Sequence, residues 1–133
     1  MIFLDTNVIL RFILKDHPIY SPKSEGIFQK IVNSKVKVYT SWVVIFEVVF
    51  VLQNSHKLTK DNIIKMLLPI IQSDSLHFEG KTLVESTFNN YLKKNISLAD
   101  AYHAALMEKK RISKIYSFDE DFDKFPNIKR LEN

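Results

Sequence analysis

Four carboxylates stand where local structure gives them little to do. Asp5 ends the apolar run Ile2-Phe3-Leu4 and is followed at once by a hydroxyl and an amide, Thr6 and Asn7. Glu47 splits the longest apolar stretch of the chain, Trp42 to Leu52. Asp100 closes Ser97-Leu98-Ala99-Asp100, just before Ala101-Tyr102-His103, and Asp119 closes Ile115-Tyr116-Ser117-Phe118. Carboxylates gathered at one place repel each other unless a cation neutralises them. With no cysteine and no histidine pair, the donors are hard oxygens, and Mg²⁺ or Mn²⁺ suits them. Each acid also has a plainer explanation. Asp5 would help start a helix, and Asp119 would cap the turn Glu120-Asp121-Phe122. Asp100 comes three residues after a serine, close to a capping box. Glu47 would pair with a lysine or arginine, since a buried carboxylate without a partner costs several kcal/mol.

The elements that must position these acids follow from periodicity. Ile2-Phe3-Leu4 is apolar without alternation, so it reads as a short buried strand with Asp5 at its carboxyl end. In open α/β sheets that edge is where ligands bind. A helix follows over Val8 to Lys15, capped by Thr6 or Asn7. Ser21-Pro22 opens the next helix, whose face is Ile27, Phe28, Ile31 and Val32. Lys35 to Tyr39 alternates as a half-buried strand. Trp42 to Leu52 is β-rich in composition, but its length makes it a buried helix. Thr59 to Ile71 is helical and is bent or shortened by Pro69. Leu76-His77-Phe78 is a short strand, and Lys81 to Leu92 is a helix. Ser97 opens a helix to Lys110. Ile115 to Phe118 is a buried strand ending at Asp119, and Ile128 to Leu131 is the last strand. Strands alternating with helices predict an α/β fold, with a central, mostly parallel β-sheet flanked by helices. Parallel strands of one sheet end on one edge, so Asp5 and Asp119 would converge there.

Composition narrows the classes. A chain of 133 residues reads as a single domain, 1–133, with ordinary apolar (46%) and charged (26%) fractions. Without cysteine there is no disulfide, thiolate metal site or cysteine nucleophile. Two isolated glycines, Gly26 and Gly80, exclude a phosphate-cradling loop of the Walker or dinucleotide type. The start lacks the features of a signal peptide, and the longest apolar run is shorter than the roughly 20 residues of a membrane span. The expected location is the cytoplasm. A net charge of +4 is compatible with a nucleic-acid partner.

Four segments together match a known family: Phe3-Leu4-Asp5-Thr6-Asn7, the helix around Glu47, Ser97-Leu98-Ala99-Asp100-Ala101 and Tyr116-Ser117-Phe118-Asp119. In their order, their spacing and the total length, the sequence resembles the PIN-domain ribonucleases, and among them the small VapC-like toxins of toxin–antitoxin pairs. The resemblance covers the whole chain. It implies a PIN-like fold in which Asp5, Glu47, Asp100 and Asp119 hold one or two Mg²⁺ or Mn²⁺ ions and act as the catalytic acids of an endoribonuclease. Asp121 or Asp123 is an alternative to Asp119 as the fourth acid. Asp5 and Asp100 would be the principal ligands, with Glu47 and Asp119 on a second ion or orienting the attacking water. Thr6, Asn7 and Ser117 would hydrogen-bond the ligands. The implied partners are an RNA substrate, a small antitoxin protein and a second copy in a homodimer.

Arg11, Lys15, Lys93, Lys94, Lys109, Lys110 and Arg111 are candidates for phosphate contacts, each against the plainer reading of a solvated charge. His103 lies one turn beyond Asp100. Tyr20, Tyr39 and Tyr102 could stack on bases, although packing explains each as well. The competing functions are a housekeeping PIN nuclease, a Mg²⁺-binding phospho-receiver domain and a non-catalytic RNA-binding protein. Against the receiver, no acidic pair follows the first strand, and Leu76-His77-Phe78-Glu79 offers no phosphoacceptor aspartate.

Overall fold

Short hydroxyl side chains open the helices that the sequence marks most clearly. Ser41 Oγ accepts the Val44 N–H and Thr59 Oγ1 the Asn62 N–H, both at 3.3 Å, and Ser97 Oγ accepts the Asp100 N–H at 3.1 Å. The computed structural model describes residues 1–133. Its helices are α1 (Thr6–Leu14), α2 (Tyr20–Val32), α3 (Trp42–Phe50), α4 (Lys60–Ile71), α5 (Val84–Lys93) and α6 (Leu98–Lys110). Its strands are β1 (Ile2–Phe3), β2 (Val38–Tyr39), β3 (Leu76–His77), β4 (Lys114–Tyr116) and β5 (Lys129–Leu131). A π-helical turn, Val51–Ser55, continues α3, and 3-10 turns lie at Lys81–Leu83 and Glu120–Lys124. Every strand pairing is parallel, as the alternation predicts. The pairings form two sheets, β1-β2-β3 and β4-β5. Asp5 and Asp119 therefore follow strands of different sheets, and the expected single shared edge is not the hydrogen bonding observed.

The backbone divides into two compact units, Met1–Lys81 and Thr82–Asn133. In the first, Ile9, Phe28, Ile31, Ile45, Val48, Leu52 and Ile63 are buried between helices and sheet. The end of β1 is held firmly. Leu4 N–H donates to the Tyr39 carbonyl at 2.8 Å, and the buried Thr40 hydroxyl donates to the Leu4 carbonyl at 2.9 Å. Pro69 does not end α4, which continues to Ile71; so near the helix end, the missing N–H removes only one hydrogen bond. Lys81 Nζ donates to the carbonyls of Ser73 and Leu76 at 2.8 and 2.6 Å, and burial lowers its pKa. In the second unit α5 packs on α6, where Ala101, Ala104 and Ala105 are buried with Phe88 and Tyr91. Asn90 Nδ2 donates across that interface to the Ala101 carbonyl at 3.2 Å.

Three expectations are corrected. The strands read as buried are open. In β1, Ile2 and Phe3 are 61% and 58% exposed, and beyond β4, Phe118 is 83% exposed. Each strand is paired along one edge only, β1 with β2 and β4 with β5, so apolar composition does not secure burial. Glu47 is exposed rather than buried. It shares one face of α3 with the exposed Val43 and Phe50, while Val44, Ile45, Val48 and Val49 fill the core side. Finally, helix starts shift by a residue or more. Asp5 occupies the N-cap of α1 in place of Thr6 or Asn7, and α2 begins at Tyr20, ahead of Ser21-Pro22.

Candidate metal centre

Each unit carries part of the predicted acid set. In the first, the tether on Leu4 delivers Asp5 to the start of α1, with extended backbone angles of −94° and 164°. Its carboxylate makes no capping hydrogen bond there, although the position invites one. The helix start therefore does not use the Asp5 side chain, which stays exposed. Thr6, the first residue of α1, donates its hydroxyl to Glu47 Oε2 at 2.6 Å. That bond links α1 to α3 and orients the Glu47 carboxylate beside the residue that follows Asp5. Thr6 thus hydrogen-bonds one of the four acids singled out in the sequence, Glu47. Asn7 lines a groove between α1 and α2.

In the second unit, carboxylate oxygens of Asp100, Asp119 and Asp121 all lie within 4.8 Å of one another. Asp100 stands in the first turn of α6, its backbone tied to Ser97. Asp119 is the N-cap of the 3-10 turn, and its Oδ1 accepts the Asp121 N–H at 2.9 Å. The Asp119 N–H donates to Ser117 Oγ at 3.0 Å, so Ser117 positions the aspartate through its backbone. The capping role foreseen for Asp119 is real, and it aims the carboxylate at Asp100 rather than away from it. Lys124 Nζ holds Asp121 Oδ1 at 2.8 Å. Asp123 is committed elsewhere: both its oxygens bind Arg130, at 3.1 and 3.2 Å. Asp119 and Asp121 thus face Asp100, and Asp123 does not join them. Lys124 is a neighbour that the sequence reading missed; its place three residues after Asp121 on one helical face was the available signal.

The electrostatics record the crowding. Asp100 is held above the ordinary carboxylate range by burial first, and then by the charge of Asp119 and a hydrogen bond shared with it. The Ser97 hydroxyl and His103 pull the other way. His103 therefore acts on the acid one turn before it, while remaining exposed. Three oxygen donors at this spacing, with an acid whose ionised form is opposed by its neighbours, fit a hard divalent cation, which would remove the repulsion. Nothing in the donor set suits a softer metal.

No helix is long and apolar enough to cross a membrane. None of the curated proteins compared with the chain matches it. A model of the PIN domain matches residues 2–128 and so takes in both units and every acid named above. The chain belongs to the PIN-domain family, whose members are generally nucleases.

Proposed function

We propose that this protein is a Mg²⁺- or Mn²⁺-dependent endoribonuclease, acting in the cytoplasm as the toxin of a toxin–antitoxin pair. The observation that carries the reading is the cluster of Asp100, Asp119 and Asp121 in a chain of the PIN family. Asp5, Glu47, Asp100 and Asp119 hold the metal, and Asp121 joins them or replaces Asp119. A divalent ion bound to such acids activates water and stabilises the charge that develops at a phosphodiester. The remaining contributions are the chain's own. Thr6 fixes the Glu47 carboxylate, so its free oxygen has one direction. Ser117 and the cap on Asp121 do the same for Asp119. Lys124 pairs with Asp121 beside two other acids. The exposed Lys15, Lys93, Lys109, Lys110 and Arg111 are the candidates for contacts with RNA phosphates.

The exposed apolar pair on α3, Val43 and Phe50, flanks Glu47 and supports a protein contact there. We assign it to a second copy of the chain, with an antitoxin covering the acids through an arginine or lysine. Light scattering should then give twice the chain mass.

The test is RNA hydrolysis with purified protein. Cleavage should require Mg²⁺ or Mn²⁺, stop with EDTA, and leave 5′-phosphate and 3′-hydroxyl ends. Cleavage that persists in excess EDTA, or that leaves 2′,3′-cyclic phosphates, would overturn the mechanism. Growth arrest on expression, relieved by a neighbouring small protein, separates a toxin from a housekeeping nuclease.

A further inference from the structure

The first unit contains a groove of about 330 Å³ between α1 and α2. Asn7 and Arg11 of α1 line it, with Tyr20, Lys23, Ser24 and Ile27 of α2. Asn7 stands two residues beyond Asp5. Arg11 stands one turn beyond Asn7, about 9 Å along the helix axis from Asp5. The groove is therefore lined in part by the helix whose N-cap position Asp5 occupies.

Its aromatic wall is exposed and yet held in place. Tyr20 is 55% exposed, and its ring stacks on His17 with centroids 4.6 Å apart and planes 28° apart. His17 is itself anchored. Its Nδ1 accepts the N–H groups of Ile19 and Tyr20 at 3.2 and 3.0 Å, and its own N–H donates to Ser21 Oγ at 3.2 Å. Core packing does not account for a ring that faces solvent while a second ring braces it. Cations stand beside it. Lys23 Nζ lies 6.0 Å from the Tyr20 ring centre, and Arg11 spends only Nη1 on Asp16, at 3.0 Å.

We propose that this groove is a nucleotide subsite of the nuclease, in which a base stacks on Tyr20 and an adjoining phosphate is held by Lys23 and Arg11. The proposal rests on the ribonuclease reading above and adds a place where one nucleotide of single-stranded RNA is held. An aromatic face flanked by cations is what proteins use to hold single strands without reading their sequence. A rigid ring loses little freedom when a base covers it, so the His17 brace favours binding. An apolar peptide helix, by contrast, would leave Lys23 without a counter-charge.

Fluorescence anisotropy with short, labelled, single-stranded RNA of randomised sequence tests this, in EDTA so that nothing is cut. Tyr20→Ala should weaken binding about 5- to 150-fold, the worth of one stacked base, and Tyr20→Phe should restore it. Lys23→Ala should lower the slope of log affinity against log salt by about 1. With Mg²⁺ present, Tyr20→Ala should raise KM more than it lowers kcat. Thermal melts of each variant check folding; if Tyr20→Ala is unfolded, Tyr20→Leu and the Lys23→Ala slope carry the test. Variants that bind RNA like a parent that cuts RNA would overturn the subsite and leave the nuclease standing. If they bind RNA normally but lose a co-expressed partner protein, the groove is a protein-docking surface and the proposal falls. A parent that neither binds nor cuts RNA removes both readings.

Discussion

Replacing Asp100 with asparagine separates a cation ligand from a helix start. The folded-state pKa of Asp100 is raised, by burial and then by Asp119. Between the unfolded and folded values the native protein therefore binds more protons than the unfolded chain. The stability this group contributes is full below the unfolded value and is lost as pH rises through the folded one. At neutral pH the ionised carboxylate is a cost. Asparagine removes that cost and keeps the backbone bond to Ser97 Oγ at 3.1 Å. Losing an acid from the first turn of α6 costs about 0.3–1 kcal/mol. Removing one like charge at a separation of up to 4.8 Å returns about 1 kcal/mol in a water-like dielectric and about 3.5 kcal/mol at an effective value of 20. Asp119 is exposed, so the lower figure applies. Asp121 adds little, because Lys124 lies 2.8 Å from it. The two effects nearly cancel. The metal-free variant should melt within a few degrees of the parent or above it, with a flatter pH dependence between acid and neutral conditions. Mg²⁺ at about 100 times its Kd should stabilise the parent by about 2.7 kcal/mol and the variant far less. RNA cleavage should fall by orders of magnitude. The assay is thermal melting with and without Mg²⁺ across pH, beside cleavage. A destabilised variant that still cuts RNA at the parental rate would refute Asp100 as a ligand.

The other substitutions test what holds the acids. Thr6→Val removes the donor to Glu47 Oε2 at 2.6 Å. It should cost about 1 kcal/mol or less in a urea melt but reduce cleavage about 10- to 100-fold, with Thr6→Ser largely retaining activity. Parental cleavage by Thr6→Val would mean that Glu47 needs no orientation. Ser97→Ala removes the α6 cap and should cost about 1 kcal/mol. The same hydroxyl also lowers the Asp100 pKa, so the acid limb of the pH–rate profile should move to higher pH. Gly80 has φ of +78°, and a Cβ there would lie 3.0 Å from Trp42 Nε1, which donates to the Gly80 carbonyl at 3.2 Å. Gly80→Ala should destabilise by about 1–2 kcal/mol or more from backbone conformation alone, read as a lower urea midpoint at unchanged m.

What the sequence revealed and what it withheld divide along the range of the interactions involved. Ser41, Thr59 and Ser97 were readable as helix starts because a cap acts within three residues. The β4 and β5 positions and the α6 span were readable for a similar reason, since periodicity is local. Burial was not. Whether Phe3 or Phe118 is covered depends on which strand edge finds a partner, and that is decided by residues far away in the chain. Glu47 misled in a related way. A helix apolar nearly all round has too weak a polar face to reveal its orientation, so apolar neighbours suggested a buried carboxylate where the structure has an exposed one. That Asp123 stands apart from the cluster also lay outside local reach, because it turns on Arg130 in β5 claiming Asp123. The acids themselves still stood out, and the reason is physical. Asp5 sits at a helix cap that its side chain does not use, and Asp100 sits where a neighbouring acid opposes its ionised form. A residue that local structure does not need, or that is destabilised where it stands, marks a place where something other than folding has set the composition.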